Sequence, residues 1–79
     1  MKLTYDPRHN IAYIRFQEPK TEVLTIPVSD SVNVDMAPDG TVYGVELLNA
    51  NEQLRGEDGA NLVFVNEARG DRREIPLGE

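Results

Sequence analysis

The stretch "SVNVDMAPDGTVYGVELL", residues 31–48, decides the fold. Its first six residues put Val32, Val34 and Met36 on one side and Ser31, Asn33 and Asp35 on the other. Its last eight put Tyr43, Val45 and Leu47 on one side, and Val42, Gly44, Glu46 and Leu48 on the other. Side chains that change sides at every residue belong to strands half-buried on one face. Between them lies Ala37-Pro38-Asp39-Gly40, where proline presets a turn angle and Gly40 can take the left-handed conformation of a hairpin. A four-residue loop pairs Met36 with Thr41, Val34 with Tyr43 and Val32 with Val45, so the apolar stripes share a face. A three-residue loop pairs Ala37 with Thr41 and sets Val32 against Glu46. Facial consistency favours the longer loop, although Ala37, followed by proline, resists the helical angles it requires.

The same period of two runs outward from this hairpin. "KLTY" (2–5) places Leu3 and Tyr5 together. "IAYIRF" (11–16) sets Ala12, Ile14 and Phe16 against Ile11, Tyr13 and Arg15. "EVLTIP" (22–27) is β-branched and closes at Pro27. Asp6 and Pro7 begin the turn before Ile11, since proline sets φ and aspartate bonds amides two residues on. After Leu48 the period changes. "NANEQLRG" (49–56) carries Asn49 as an N-cap, Glu52 three residues later and Gly56 as a stop, which predicts one or two helical turns near residues 50–55, anchored by Leu54. "GEDG" (56–59) reads as a flexible bend. "NLVFVNEA" (61–68) predicts a strand and "RREIPL" (72–77) a weaker edge strand limited by Pro76. A three-residue loop, Arg69 to Asp71, pairs Glu67 with Arg73, Val65 with Ile75 and Val63 with Leu77. It is preferred over a two-residue loop, which sets like charges opposite one another. A partly disordered tail from Arg69 is the alternative. The expected architecture is mainly β (α+β), a small twisted antiparallel sheet of about five to six strands with one short helix.

Seventy-nine residues make one domain. A chain this short buries only about 60% of its unfolded surface. One core below about 70–80 residues supplies roughly 3–5 kcal/mol, so outside support is expected. With no cysteine there is no disulfide and no thiolate metal site. Dimerisation is the expected support. No apolar run reaches the length of a membrane span, and "MKLTYDP" enters alternating structure at once, without a signal peptide. The expectation is a cytoplasmic protein. Fourteen acids against eight bases give a net charge of −6. Arg69, Arg72 and Arg73 are interleaved with Glu67, Asp71 and Glu74, which argues against binding nucleic acid. A basic protein partner is electrostatically compatible.

Catalytic and metal constellations are sparse. Asp6 and His9, the one histidine, could exchange a proton, but the same residues make an Asx-type turn, and that reading is preferred. With Asp39 and Gly40, Asp6 and Pro7 are therefore assigned to turns. Asp30, Asp35 and Asp39 lack the alternation of a calcium loop. Ser29 and Ser31 have no glycine elbow. Gly44, in mid-strand, predicts close approach by an aromatic ring such as Tyr13. No metal, cofactor or catalytic residue is assigned, and no enzymatic activity is expected.

The segments "MKLTYDPRHNIAYIRF", "VNVDMAPDGTVYGVELLNA" and "EQL" resemble a bacterial family, domain of unknown function 2283. The matching residues are Tyr5, Asp6, Ala12, Tyr13, Ile14, Val34, Asp35, Asp39, Gly40, Gly44, Glu46 and Leu48. The resemblance covers about residues 1–54 and leaves 55–79 as an extension. It implies a small antiparallel β fold with a short helix and brings no activity or cofactor. Relatives encoded beside small toxin-like proteins suggest an antitoxin-like role by association.

Two functional readings follow. The first is a non-enzymatic interaction module that forms a homodimer or binds a basic protein partner, with Leu62, Phe64 and Val65 as candidate interface. The second is a small enzyme or ligand binder that uses a polar sheet face around Asp35, Tyr43 and Glu46, with His9 nearby. A sheet of 8.9 kDa offers little depth for such a pocket.

Overall fold

The computed structural model describes residues 1–56 and 59–78. In chain order the elements are β1 (Lys2–Asp6), β2 (Ile11–Arg15), β3 (Leu24–Ser29), β4 (Val32–Met36), β5 (Val42–Leu48), α1 (Ala50–Gln53), β6 (Asn61–Asn66) and β7 (Asp71–Pro76). The mainly β antiparallel fold with one short helix is what the alternation predicts. Among the described residues the strands number seven and divide between two sheets. β1 to β5 form one sheet in the order β1-β2-β5-β4-β3, and β6 pairs with β7 alone.

The register sorts the side chains. Leu3 pairs with Ile14, Ile14 with Val45, Val45 with Val34 and Val34 with Ile26. Directly paired residues lie on the same face, so this row gives the sheet one apolar side. Adjoining rows add Tyr5, Ala12, Leu47 and Val32, and on the far side Leu24 with Met36. The opposite face takes Tyr13, Glu46 and Asn33 in one row and Arg15, Gly44, Asp35 and Thr25 in the next.

The central hairpin differs from the expected four-residue loop. Ala37 N–H donates to Thr41 O at 2.8 Å, so the loop is Pro38-Asp39-Gly40, with Gly40 at φ 95°. Met36 then pairs with Val42, and Asp35 with Gly44. Tyr43 is the extra residue of a β-bulge. The shorter loop spares Ala37 the helical angles that the following proline disfavours. The bulge shifts the register by one, which matches Val34 with Val45 and Val32 with Leu47. Facial consistency is thus kept by an inserted residue and not by a longer loop. The Tyr43 carbonyl accepts from Phe16 N–H at 2.8 Å, tying the bulge to the end of β2.

The helix is held from a distance. Asn49 is the N-cap residue, as expected, but it has left-handed angles (φ 67°) and its side chain makes no cap to the helix amides. Its Nδ2 donates instead to Glu52 Oε2 at 3.1 Å. Asn10, in the β1–β2 turn, supplies the missing acceptors. Its carbonyl accepts from Asn49 and Ala50 N–H, both at 3.1 Å, and its Oδ1 from Asn51 N–H at 2.7 Å. These are amides that a helix cannot satisfy internally. Tyr5 Oη donates to Asn51 Oδ1 at 2.7 Å and locks the same corner.

The terminal hairpin also differs in register. Asn66 pairs with Asp71, Phe64 with Arg73 and Leu62 with Ile75, across a loop of residues 67–70. Asn66 begins the turn itself. Its Oδ1 accepts from Ala68 and Arg69 N–H, and its carbonyl from Gly70 N–H at 2.8 Å, with Gly70 at φ 77°. The expected loop from Arg69 to Asp71 therefore does not form. The bend expected at 56–59 lies partly outside the described residues; its two described ends, Gly56 and Gly59, bridge each other.

Asn10→Ala removes the Oδ1 acceptor and places a Cβ-bearing residue without Asn's local bonds at φ 60°. Stability should fall by about 1–3 kcal/mol in urea, with faster exchange of the Asn51 amide. Asn10→Asp, which keeps the acceptor, should recover most of the loss. Unchanged stability in Asn10→Ala would mean that α1 is held by other contacts.

Candidate functional site

The polar face carries a cross-strand ladder. Asp35 sits between β3 and β5, and its carboxylate takes two hydroxyls. Tyr13 Oη donates to Oδ2 and Thr25 Oγ1 to Oδ1, each at 2.7 Å. Asn33 Nδ2 donates to Glu46 Oε1 at 3.0 Å. Arg15 lies over the Tyr13 ring, 5.0 Å from its centroid. The ring crosses Gly44 so closely that a Cβ there would meet its Cε1 and Oη at 2.5 Å. The ring expected over Gly44 is Tyr13. Burial, reinforced by the bond to Asp35, pushes the Tyr13 phenol up to about 12.

Asp35 and Glu46 share this face, but Tyr43 does not join them. It is 4% exposed, within the bulge and on the apolar side. The phenol on the polar side is that of Tyr13, two residues after Ile11 in the alternation. His9 belongs to the β1–β2 turn. Its Nδ1 lies 2.7 Å from Asp6 Oδ2, while Asp6 Oδ1 accepts from Arg8 and His9 N–H at 3.0 and 3.3 Å. The His9 ring, helped by these amides, holds the Asp6 carboxyl below its ordinary value. The backbone bond from Thr41 does the same for Asp39. Both carboxylates therefore work as turn acceptors. Pro7 and Gly40 stand in the same two turns.

These groups satisfy one another. A cavity of about 490 Å³ lies elsewhere, lined by Tyr5, Pro7, Asn51, Arg55, Gly59 and Ala60 among others. Among the described residues, no three acidic or histidine side chains converge into a metal-binding group. Nor is any helix of the described residues long and apolar enough to cross a membrane.

The apolar face has a different character. Its fully covered residues are small or peripheral: Ala12, Ala37, Ala50 and the bulged Tyr43. Val32, Val34, Met36, Val45, Leu47 and Ile14 are only half-buried, and Leu24 and Ile26 remain exposed at 38% and 42%. The hairpin does not cover them, because it is exposed on both of its own faces: Val63 and Val65 on one, Leu62, Phe64 and Ile75 on the other. The candidate interface residues Leu62, Phe64 and Val65 therefore lie on this separate hairpin, with Phe64 54% exposed.

A family described as Protein of unknown function (DUF2283) matches residues 2–51. The chain belongs to this family. No curated protein and no solved structure matches it. The matched span holds all five strands of the larger sheet together with Asn10, Gly44 and Asn51, so the DUF2283 unit coincides with the sheet and its helix lock. β6 and β7 lie beyond it.

Gly44→Ala should lower stability by about 1–3 kcal/mol, because the ring must give way and surrender its bond to Asp35. In a Tyr13→Phe background the same change should cost less; equal costs would show that this bond does not hold the ring. The raised Tyr13 value favours the neutral phenol in the folded state. Its contribution is complete below the ordinary tyrosine value of about 10 and is lost as pH rises towards about 12. The stability gap between the wild type and Tyr13→Phe should narrow across that window, and a constant gap would contradict the assignment.

Proposed function

We propose that this DUF2283 chain is a non-enzymatic interaction module, and that the apolar face of its five-stranded sheet docks a second copy of itself. One observation carries the reading. Ile26, Val34, Val45 and Ile14 form a continuous apolar row, and the chain's own described residues provide no second layer over it. Sheets with such a face are stable when another sheet packs at about 10 Å with interdigitated side chains. A second copy offers a matching surface through a two-fold axis. The polar face, with both Asp35 oxygens engaged by hydroxyls, supports a structural role better than acid–base chemistry.

The net charge of −6 suits a further, basic protein partner, and an acidic antitoxin is the narrower form of that idea. The lack of cysteine suits a reducing compartment such as the cytoplasm.

Light scattering through a dilution series should return at least twice the chain mass of 8.9 kDa at the concentrated end. Ile26→Asp alters a side chain already exposed in the single chain, so it should abolish association through this face and lower the native mass, with unchanged circular dichroism. A wild-type monomer at every concentration would remove the proposal.

A further inference from the structure

We infer that β6 is a second self-association element, pairing antiparallel with β6 of another copy to make a four-stranded sheet from two hairpins. The inference extends the self-association reading to a different surface and can fail separately from it.

Four strands lie at sheet edges: β1, β3, β6 and β7. Exposed edges are ordinarily blunted by charge, proline or a bulge. β1 carries Lys2 and Asp6, β3 carries Pro27 with a register shift beside it, and β7 carries Pro76 and four charged residues. β6, Asn61-Leu62-Val63-Phe64-Val65-Asn66, has none of these devices. Its exposed Leu62, Val63, Phe64 and Val65 form an uncharged apolar run in an acidic chain. A two-stranded hairpin is marginal alone, and a sheet of independent stability needs three or more strands with an apolar face, which pairing two hairpins provides.

The charge pattern favours a second copy as the occupant, because an uncharged edge in a chain of net charge −6 sets no carboxylates against one another, and the hydrogen-bond parity gives the register. Leu77 N–H donates to Ala60 O at 2.8 Å, one step beyond the Asn61–Pro76 pair. Antiparallel ladders alternate, so Leu62, Phe64 and Asn66 turn their backbone groups to β7, and Val63 and Val65 turn theirs outward. The same parity points Pro76 outward, where its missing N–H costs no ladder bond. A two-fold axis beside an edge strand must stand perpendicular to the sheet. It pairs only residues whose numbers sum to an even value, as the outward residues of any edge strand do, so parity fixes the possible registers and not the partner. The axis passes through Val63 or Phe64. Either choice keeps Leu62, Phe64 and Ile75 of both copies on one continuous face, and brings no charged residue of β6 against another.

The chain has no cysteine, so single introduced thiols report the pairing. Paired Cα atoms across an antiparallel ladder lie about 4.5–5.5 Å apart, within disulfide reach. Mild oxidation should cross-link either Val63→Cys or Phe64→Cys into a covalent dimer and leave Glu74→Cys, on the outer edge of β7, monomeric. Val63→Pro removes an outward N–H while sparing the β6–β7 ladder, and should weaken association through this edge by about tenfold or more. Absence of a cross-link at both Val63 and Phe64, or equal cross-linking at Glu74, overturns the inference. If Ile26→Asp disrupts association while Val63→Pro and the thiols have no effect, the edge fails and the sheet face stands. The reverse pattern rejects the face and keeps the edge.

Discussion

Ile26, Val34, Val45 and Ile14 stand side by side across four strands, all on the side of the sheet away from Asp35 and Glu46. Full burial of such a side chain is worth about 1.5–3 kcal/mol, so a half-buried one leaves roughly 1 kcal/mol unrealised. In a chain with no disulfide and no large side chain fully buried among the described residues, that sum is comparable to the whole stability expected of so small a domain. The interior the chain does complete is modest. It consists of Ala12 and Ala50 near the helix, and Ala37 and Tyr43 near the central turn. The lack of a second layer is therefore the condition under which every other feature operates.

The polar face ties the strands of the larger sheet together. Tyr13, Asp35 and Thr25 join β2, β4 and β3 across the strand between, and Gly44 makes room for the crossing ring. Asn10 and Asn51 lock the helix to the turn at the other end. Both devices lie in the span matched to DUF2283, which suits a rigid platform that presents its apolar side. β6 and β7, outside that span, add a surface of different geometry, built from strand edges.

Most of the larger sheet was legible in the sequence because alternation with Val, Ile and Tyr fixes both the strands and their faces. Asp35 and Glu46 share a side for that reason. The details that escaped are those set by single residues acting across distance. The Tyr43 bulge leaves no local signature, since "TVYGVELL" alternates without interruption. Only the conflict between the angles of Ala37 and the facial match of Val34 hinted that something had to give. Grouping Tyr43 with the carboxylates followed its hydroxyl rather than its parity, which already placed it beside Val45. Asn10, some forty residues before the helix it caps, could not be found by reading caps locally. Asn66 could have been found, because an asparagine that starts a turn two residues earlier changes the hairpin register.

Isotope-filtered spectroscopy on a mixture of labelled and unlabelled chains tests the central claim most directly. Cross-peaks between copies should connect the methyl groups of Ile26, Val34, Val45 and Leu47. A complete lack of intermolecular signal at those methyls, in a sample whose sheet is folded, would contradict the account.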